Sequence, residues 1–321
     1  MFTTFRKLGL AALFTTAFAP AAFAQWPERP VDLVVAFGAG GGTDTVARIL
    51  AEQLSADLGQ PVVVNNKPGA GGTIGAGYVA AADADGYTSY IMATGHTIGA
   101  AVYANLPYDA AADFAGVSKI AEIPYIFVAG NDFEASTIEE MIALAKARPG
   151  DLTFASVGVG SSQHFAGELI KEVAGIDMLH IPYQNTPEAL AALLSGEVDI
   201  LVEVVAPMIG QVSGGDIKAL GITTATRHPN LPDVGTVAEA GLDFEVAGWY
   251  GASFPAGTPA EIIARMNTAL HNVLAQDAVR ERLLASGFVV STSTPEEFQA
   301  FLTEEVERWN AVRETAGIAQ R

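Results

Sequence analysis

The segment VVAFGAGGGTDTVAR, Val34 to Arg48, joins an apolar, β-rich run to a glycine-rich turn and then to a helix. No other feature restricts the fold so strongly, because the device recurs at once in PVVVNNKPGAGGTIGAGYVAAA. VDLVVAF, Val31 to Phe37, reads as the first strand. TDTVARILAEQLSADLG reads as the first helix: Val46, Ile49, Leu50, Leu54 and Leu58 fall near helical spacing, and Gly59 stops it. PVVVNN is the second strand and YTSYIMAT the third. A βαβαβ order predicts a parallel sheet covered by helices. In such a sheet both glycine-rich turns leave the carboxyl edge, where ligands bind.

A second α/β set follows. YIFVAG, LTFASV, MLHIPY, VDILVEVV and IKALGITT read as strands, and TIEEMIALAKARPG, FAGELIKEVAG and TPEALAALLSG as helices. Two sets in one chain predict two lobes with a cleft between them. Near the C-terminus, Thr258, Pro259 and Glu261 form one expected capping box, and Thr294, Pro295 and Glu297 another. Phe298, Phe301, Leu302 and Trp309 make an apolar stripe that reads as core packing.

The first 24 residues stand outside this pattern. Arg6 and Lys7 precede an apolar run from Leu8 to Phe18, and small residues occupy Ala22 and Ala24. This is the form of a secretory leader, with cleavage expected after Ala24 and a periplasmic destination. The run is shorter than the roughly 20 apolar residues that span a bilayer. The chain has no cysteine, which removes disulfide frameworks, thiolate zinc sites and thiol nucleophiles together. The formal charge is −19, and the leader holds two basic residues and no acidic one, so the mature chain lies near −21. Such a surface repels nucleic acid and anionic membranes. An anionic ligand would have to be held by local dipoles against that field.

A nucleotide fingerprint does not fit the first turn. Gly38 and Gly40 match the first two positions of G-x-G-x-x-G, but Thr43 stands at the third. Asn65 and Asn66 occupy the place of the ribose-binding acid, and no Gly-Lys-Ser/Thr follows. What remains is a helix start with unpaired N–H groups and about half a positive charge. The helix is expected to begin at Thr43–Asp44, both suited to capping, with Asp44 acting as a cap or water anchor. The turn from Gly69 to Gly75 repeats the arrangement, and the pair could cradle one carboxylate. The plainer alternative is two tight structural turns.

ASVGVGSSQH, Ala155 to His164, is the matching turn of the second lobe. Ser156, Ser161 and Ser162 bring hydroxyls, which suit a polar clamp for the far end of a ligand; His164 could instead pack or cap. A secreted serine hydrolase using Ser161 or Ser162 is an alternative, but no G-x-S-x-G elbow is present. The five histidines are scattered without metal-ligand spacing, and no cofactor motif is found. Glu203 interrupts a strongly apolar strand. It is either a paired, buried carboxylate at a polar site or a solvated strand end.

Taken together, VVAFGAGGGTD, VVVNNKPGAGGTIGA, DGYT, LPYD, ASVGVGSSQHFAGEL, HIPYQ, LLSGEVDI, LPDVGTVAEAGL and PAGTP resemble, in order and spacing, the tripartite tricarboxylate transporter substrate-binding proteins, the TctC/Bug family. The likeness runs from Gln25 to Arg321. It implies a non-enzymatic, two-lobed periplasmic binding protein of type II, with two chain crossings near Ile123–Tyr125 and Phe244–Gly248. Residues 25–124 and 245–321 would form one lobe and 125–244 the other. The implied partners are a small organic carboxylate and the permease subunits of a tripartite tricarboxylate transporter, with the receptor a monomer; partnership with a receptor kinase is the alternative. The implied ligand-binding set is Phe37, Gly41, Gly42, Thr43, Asp44, Gly71, Gly72, Thr73 and Thr94 in the first lobe, and Ser156, Ser161, Ser162, His164 and Glu203 in the second. Relatives read P-F-P-P-G-G-G-T-D at the first turn; here Ala36, Phe37, Gly38 and Ala39 precede the glycines, which leaves the turn floppier.

Overall fold

The computed structural model describes residues 26–320. The expected leader and its cleavage site lie outside them. The first βαβαβ run comprises β1 (Val31–Val35), α1 (Gly42–Leu58), β2 (Val62–Asn66), α2 (Thr73–Ala80) and β3 (Thr88–Ala93), followed by α3 (Gly95–Val102). β1 lies between β2 and β3, parallel to both. The turns after β1 and β2 are therefore neighbours at one carboxyl edge, and α3 starts beside them.

β4 (Phe114–Gly130) comes next. The sequence disclosed only its second half as a strand. Its first half carries register shifts at Gly116–Ser118 and Lys119–Ala121, and these break the alternation a regular strand would display. The second set is α4 (Ile138–Ala147), β5 (Thr153–Ser156), α5 (Ser162–Ala174), β6 (Leu179–Pro182), α6 (Thr186–Ser195), β7 (Ile200–Val204), α7 (Val205–Gly214) and β8 (Ile217–Ile222). The chain then runs through β9 (Ala247–Pro255), α8 (Ala260–Leu274), α9 (Asp277–Ala285), β10 (Val289–Val290) and α10 (Pro295–Thr315).

The two sets have the same plan. In the first, the order is β2-β1-β3-β9-β4, and in the second β6-β5-β7-β4 with β8 on the far side of β4. β4 belongs to both: Phe114–Pro124 pairs with β9, and Tyr125–Gly130 with β7 and β8. β5 pairs in parallel with β6 and β7, so the turns after these three strands share an edge, as in the first set.

Leu33, Val35 and Ile91 of the first sheet pack with Leu50 and Leu54 of α1 and Leu270 of α8. α10 joins both lobes. Its Phe298 and Leu302 lie in a core with Trp249, while Trp309 and Val312 lie in one with Phe165 and Ile170 of α5. Thr294 and Glu297 form the expected capping box. Thr258 does not: its hydroxyl donates to Pro255 O, and α8 begins after Pro259 without a side-chain cap.

Candidate functional site

The first turn is held from beneath by a buried acid. Asp44 is 2% exposed. Its carboxylate accepts from Gly40 N–H at 2.8 Å, Arg48 Nε at 2.9 Å and Asn66 Nδ2 at 3.0 Å. The Asn66 amide also donates to Phe37 O at 3.0 Å. The hydrogen bond from Arg48 holds the Asp44 pKa down at about 2, against the opposing effect of burial. Asp44 is thus the brace of the turn. Asn66, at the end of β2, is its second brace, and sequence reasoning noted it only as a missing acid.

α1 starts one residue earlier than expected at Gly42, with Gly41 in the N-cap position and no side-chain cap. The N–H groups of its first turn, at Gly42 and Thr43, have no intrahelical partner. Residues 38–42 are exposed while Thr43 and Asp44 are buried, so the turn offers solvent backbone rather than side chain. The Tyr250 phenol lies over this start. A carbon added at Gly42 would meet it at 2.5 Å, and the Thr43 side chain lies within its reach. Burial raises the Tyr250 pKa to about 12, so the phenol keeps its proton.

The second turn folds against the first. Gly69, Ala70, Gly71 and Gly72 all have positive φ, of 137°, 45°, 65° and 98°. Such a run tolerates few residue types besides glycine. At Gly75, a side-chain carbon would fall 2.7 Å from Ala36 Cα and 2.9 Å from Lys67 O. Glycine there lets α2 press onto the end of β1. The Phe37 ring lies against Gly72. Thr73 directs its hydroxyl to Ala70 O at 3.0 Å in an exposed hydrogen bond. Releasing it for a ligand costs about 0.5–1.5 kcal/mol.

In the second lobe the serine turn is locked by its own polar groups. Ser161 Oγ accepts the His164 N–H at 3.1 Å and so caps α5. His164 Nδ1 accepts from Gly160 N–H, which leaves its ring paired with neither Ser161 nor Ser162. Ser156 is fully buried with its Oγ 2.7 Å from His180 Nε2, and the two imidazoles stack at 3.8 Å. Burial depresses both imidazole pKa values, to about 4 for His164 and about 3 for His180. Both rings are neutral near pH 7. Glu203 is 1% exposed and accepts three hydrogen bonds, from Gln163, Thr186 and the Val204 N–H. It is the paired, buried carboxylate of the two readings.

The two edges approach each other at the crossing strand. Thr94, buried at the start of α3, is tied to Trp249 of β9 by its hydroxyl and its N–H. The side chains of Thr94 and of Ser162 both lie beside the phenol of Tyr125. Tyr125 is the first residue of β4 to pair with the second lobe. Neither Tyr125 nor Tyr250 was legible as a site residue, since each sits in an apolar strand where an aromatic reads as core. Among the described residues, the cations near these turns are engaged: Arg48 with Asp44 and Asn66, Lys67 over the Tyr78 ring, and Lys171 with Glu168. No group of three metal-binding side chains occurs among the described residues, and no described helix is long and apolar enough to cross a membrane.

Two lobes of one plan, joined by a shared strand, with uncapped helix starts at the edge between them, define the class of bilobal solute-binding proteins. The chain belongs to the tripartite tricarboxylate transporter receptor family, TctC, whose model matches residues 46–318. Among its relatives are a UPF0065 protein from the tcbD-tcbE intergenic region of Pseudomonas sp. strain P51, 36% identical over 94% of this chain and 90% of that one, and BugT of Bordetella pertussis, 34% identical over 92% of each. Three solved structures are similar in fold. The periplasmic binding protein BugD is 35% identical with a TM-score of 0.70, covering 92% of this chain and 100% of its own. R. palustris Rpa4515 with adipate has the same identity and coverage and a TM-score of 0.74. A TctC protein from Polaromonas without ligand is only 27% identical, over 90% of this chain and 99% of its own, yet has a TM-score of 0.82. The family consists of periplasmic binding receptors, not enzymes, so the serine-hydrolase alternative falls.

Proposed function

We propose that the chain captures a small mono- or dicarboxylate between its lobes in the periplasm and delivers it unchanged to a tripartite tricarboxylate-type permease. The observation that carries this reading is the open start of α1. Gly41 leaves it without a side-chain cap, and the second turn and the Tyr250 phenol stand beside it. Backbone donors and half a helix charge there suit a carboxylate without a cation. The acidic surface is no obstacle at this range. Its field is screened beyond about 8 Å in physiological salt, while hydrogen-bond donors act at about 3 Å. In this reading the ligand carboxylate meets Gly41, Gly42, Thr43 and the Gly71–Thr73 turn, with Phe37 as a wall and Thr94 beyond, while Ser162 meets its far end.

Residues 25–124 and 245–321 form one lobe and 125–244 the other, hinged where β4 changes partners, after a leader removed at Ala24. Closure around the ligand would then create the shape a permease recognises. A thermal-shift panel of organic acids tests the proposal. A ligand at a hundredfold excess over its Kd stabilises by about 2.7 kcal/mol, a rise of about 4–5 °C for a chain of this size. A rise with neutral sugars and none with carboxylates would reject it.

A further inference from the structure

The buried Glu203 sets which atoms the second lobe can show a ligand. A carboxylate accepts hydrogen bonds and does not donate them. With Gln163 Nε2 at 2.8 Å from Glu203 Oε1, the amide must turn its NH2 inward and its oxygen away. That oxygen accepts the Ser162 hydroxyl at 3.1 Å, so the single proton of Ser162 is used within the protein. The neighbouring hydroxyls are committed in the same way. Thr186 donates to Glu203 at 2.6 Å, Ser161 donates to Ser156, and Ser156 is bound to His180. What Ser162 retains is lone pairs, which it shares with the neighbouring Tyr125 phenol.

The start of α5 brings about half a positive charge to this place. It is opposed by the Glu203 carboxylate, two hydrogen bonds away from Ser162. The start of α5 is also capped by the Ser161 side chain, unlike that of α1, which has no side-chain cap. We propose that Glu203 is a positioning residue that acts through Gln163 and Ser162 to make the second lobe select a carboxylate whose distal group donates a hydrogen bond, such as a hydroxyl, over a dicarboxylate of the same length. The inference rests on carboxylate capture by the first lobe and assigns the far end of that ligand.

Isothermal titration with matched pairs tests it. The probes are ω-hydroxy acids of four, five and six carbons against succinate, glutarate and adipate. The wild-type chain should bind the hydroxy acid at least tenfold more tightly in the pair of best-fitting length. In Glu203→Gln the amide at 163 is free to turn its NH2 outward, and the preference should fall at least tenfold or reverse. Ser162→Ala, a change at a partly buried position that leaves the Glu203 bonds in place, should erase the preference even if the first variant does not fold. Equal or tighter binding of the dicarboxylate by the wild type overturns the proposal. So does a Glu203→Gln variant that weakens both members of a pair equally, as a mere structural brace would. Carboxylate binding without preference removes this inference alone, whereas no binding of either series removes the capture reading with it.

Discussion

Replacing Asp44 by alanine separates two accounts of the first turn, because they differ in sign. Asp44 is an anion directly beneath a proposed anion site. If only its charge mattered, removing it would tighten carboxylate binding. At a separation of about 8 Å and an effective dielectric of about 20 the repulsion is about 2 kcal/mol, which Arg48, paired to it at 2.9 Å, largely cancels. The structure assigns Asp44 the opposite part. It fixes the Gly40 N–H, Asn66 and, through Asn66, the Phe37 carbonyl. Without it the glycines of residues 38–42 are free to reorganise, and the ligand must order them on binding. The expected result in titration calorimetry is at least tenfold weaker carboxylate binding, about 1.4 kcal/mol. Stability should fall as well. The pKa of about 2, against an ordinary 3.8, corresponds to about 2.5 kcal/mol at 1.36 kcal/mol per unit. Arg48 is 55% exposed, and solvent screening reduces that to about 1 kcal/mol. A depressed carboxyl pKa stabilises fully above pH 3.8 and is lost as the pH falls toward 2. Urea titrations should therefore find the wild type and Asp44→Ala converging in stability across that window. Unchanged or tighter binding by Asp44→Ala would refute the bracing role.

Three further outcomes follow from the packing and the buried polar groups. Gly75→Ala should destabilise by about 1–3 kcal/mol in denaturant titration, because its methyl carbon would lie 2.7 Å from Ala36 Cα; wild-type stability would show that α2 does not press on β1. Glu305→Ala should cost about 2–4 kcal/mol, since the Trp249 and Trp309 indole N–H groups both donate to that buried carboxylate, and tryptophan fluorescence should report the loss. The neutral His164 and His180 take up protons in the unfolded chain below pH 6.5 but not in the folded one until about pH 4 and 3, so stability should fall with pH below 6.5. His180→Phe should make that slope shallower, and an unchanged slope would place the proton uptake elsewhere.

The parallel strands of each set and the edge shared by their turns were readable because their signals are local. Strand, glycine turn and helix follow one another within about 25 residues, and the carboxyl edge is then fixed by topology. Positions whose meaning is set by distant partners were not. Tyr125 and Tyr250 look like core aromatics until β4 and β9 bring their phenols to the edge. Asn66 seemed a departure from a fingerprint, and it is a brace only because β2 lies beside β1 in register Val35↔Asn66. Glu203 allowed two readings from sequence, and Gln163 and Thr186, 40 and 17 residues away, decide between them. The failed capping box at Thr258 has a local cause instead: its hydroxyl finds Pro255 O before the helix begins.

The central claim is that neutral backbone donors of the first lobe hold the ligand carboxylate. A crystal structure of the chain with a carboxylate identified in the thermal-shift panel tests it most directly. Carboxylate oxygens are expected within about 3 Å of the Gly42 and Thr43 N–H groups, or joined to them through one water, with the Gly71–Thr73 turn on the other side. A carboxylate seated on an arginine or lysine side chain, or held by the second lobe alone, would contradict it.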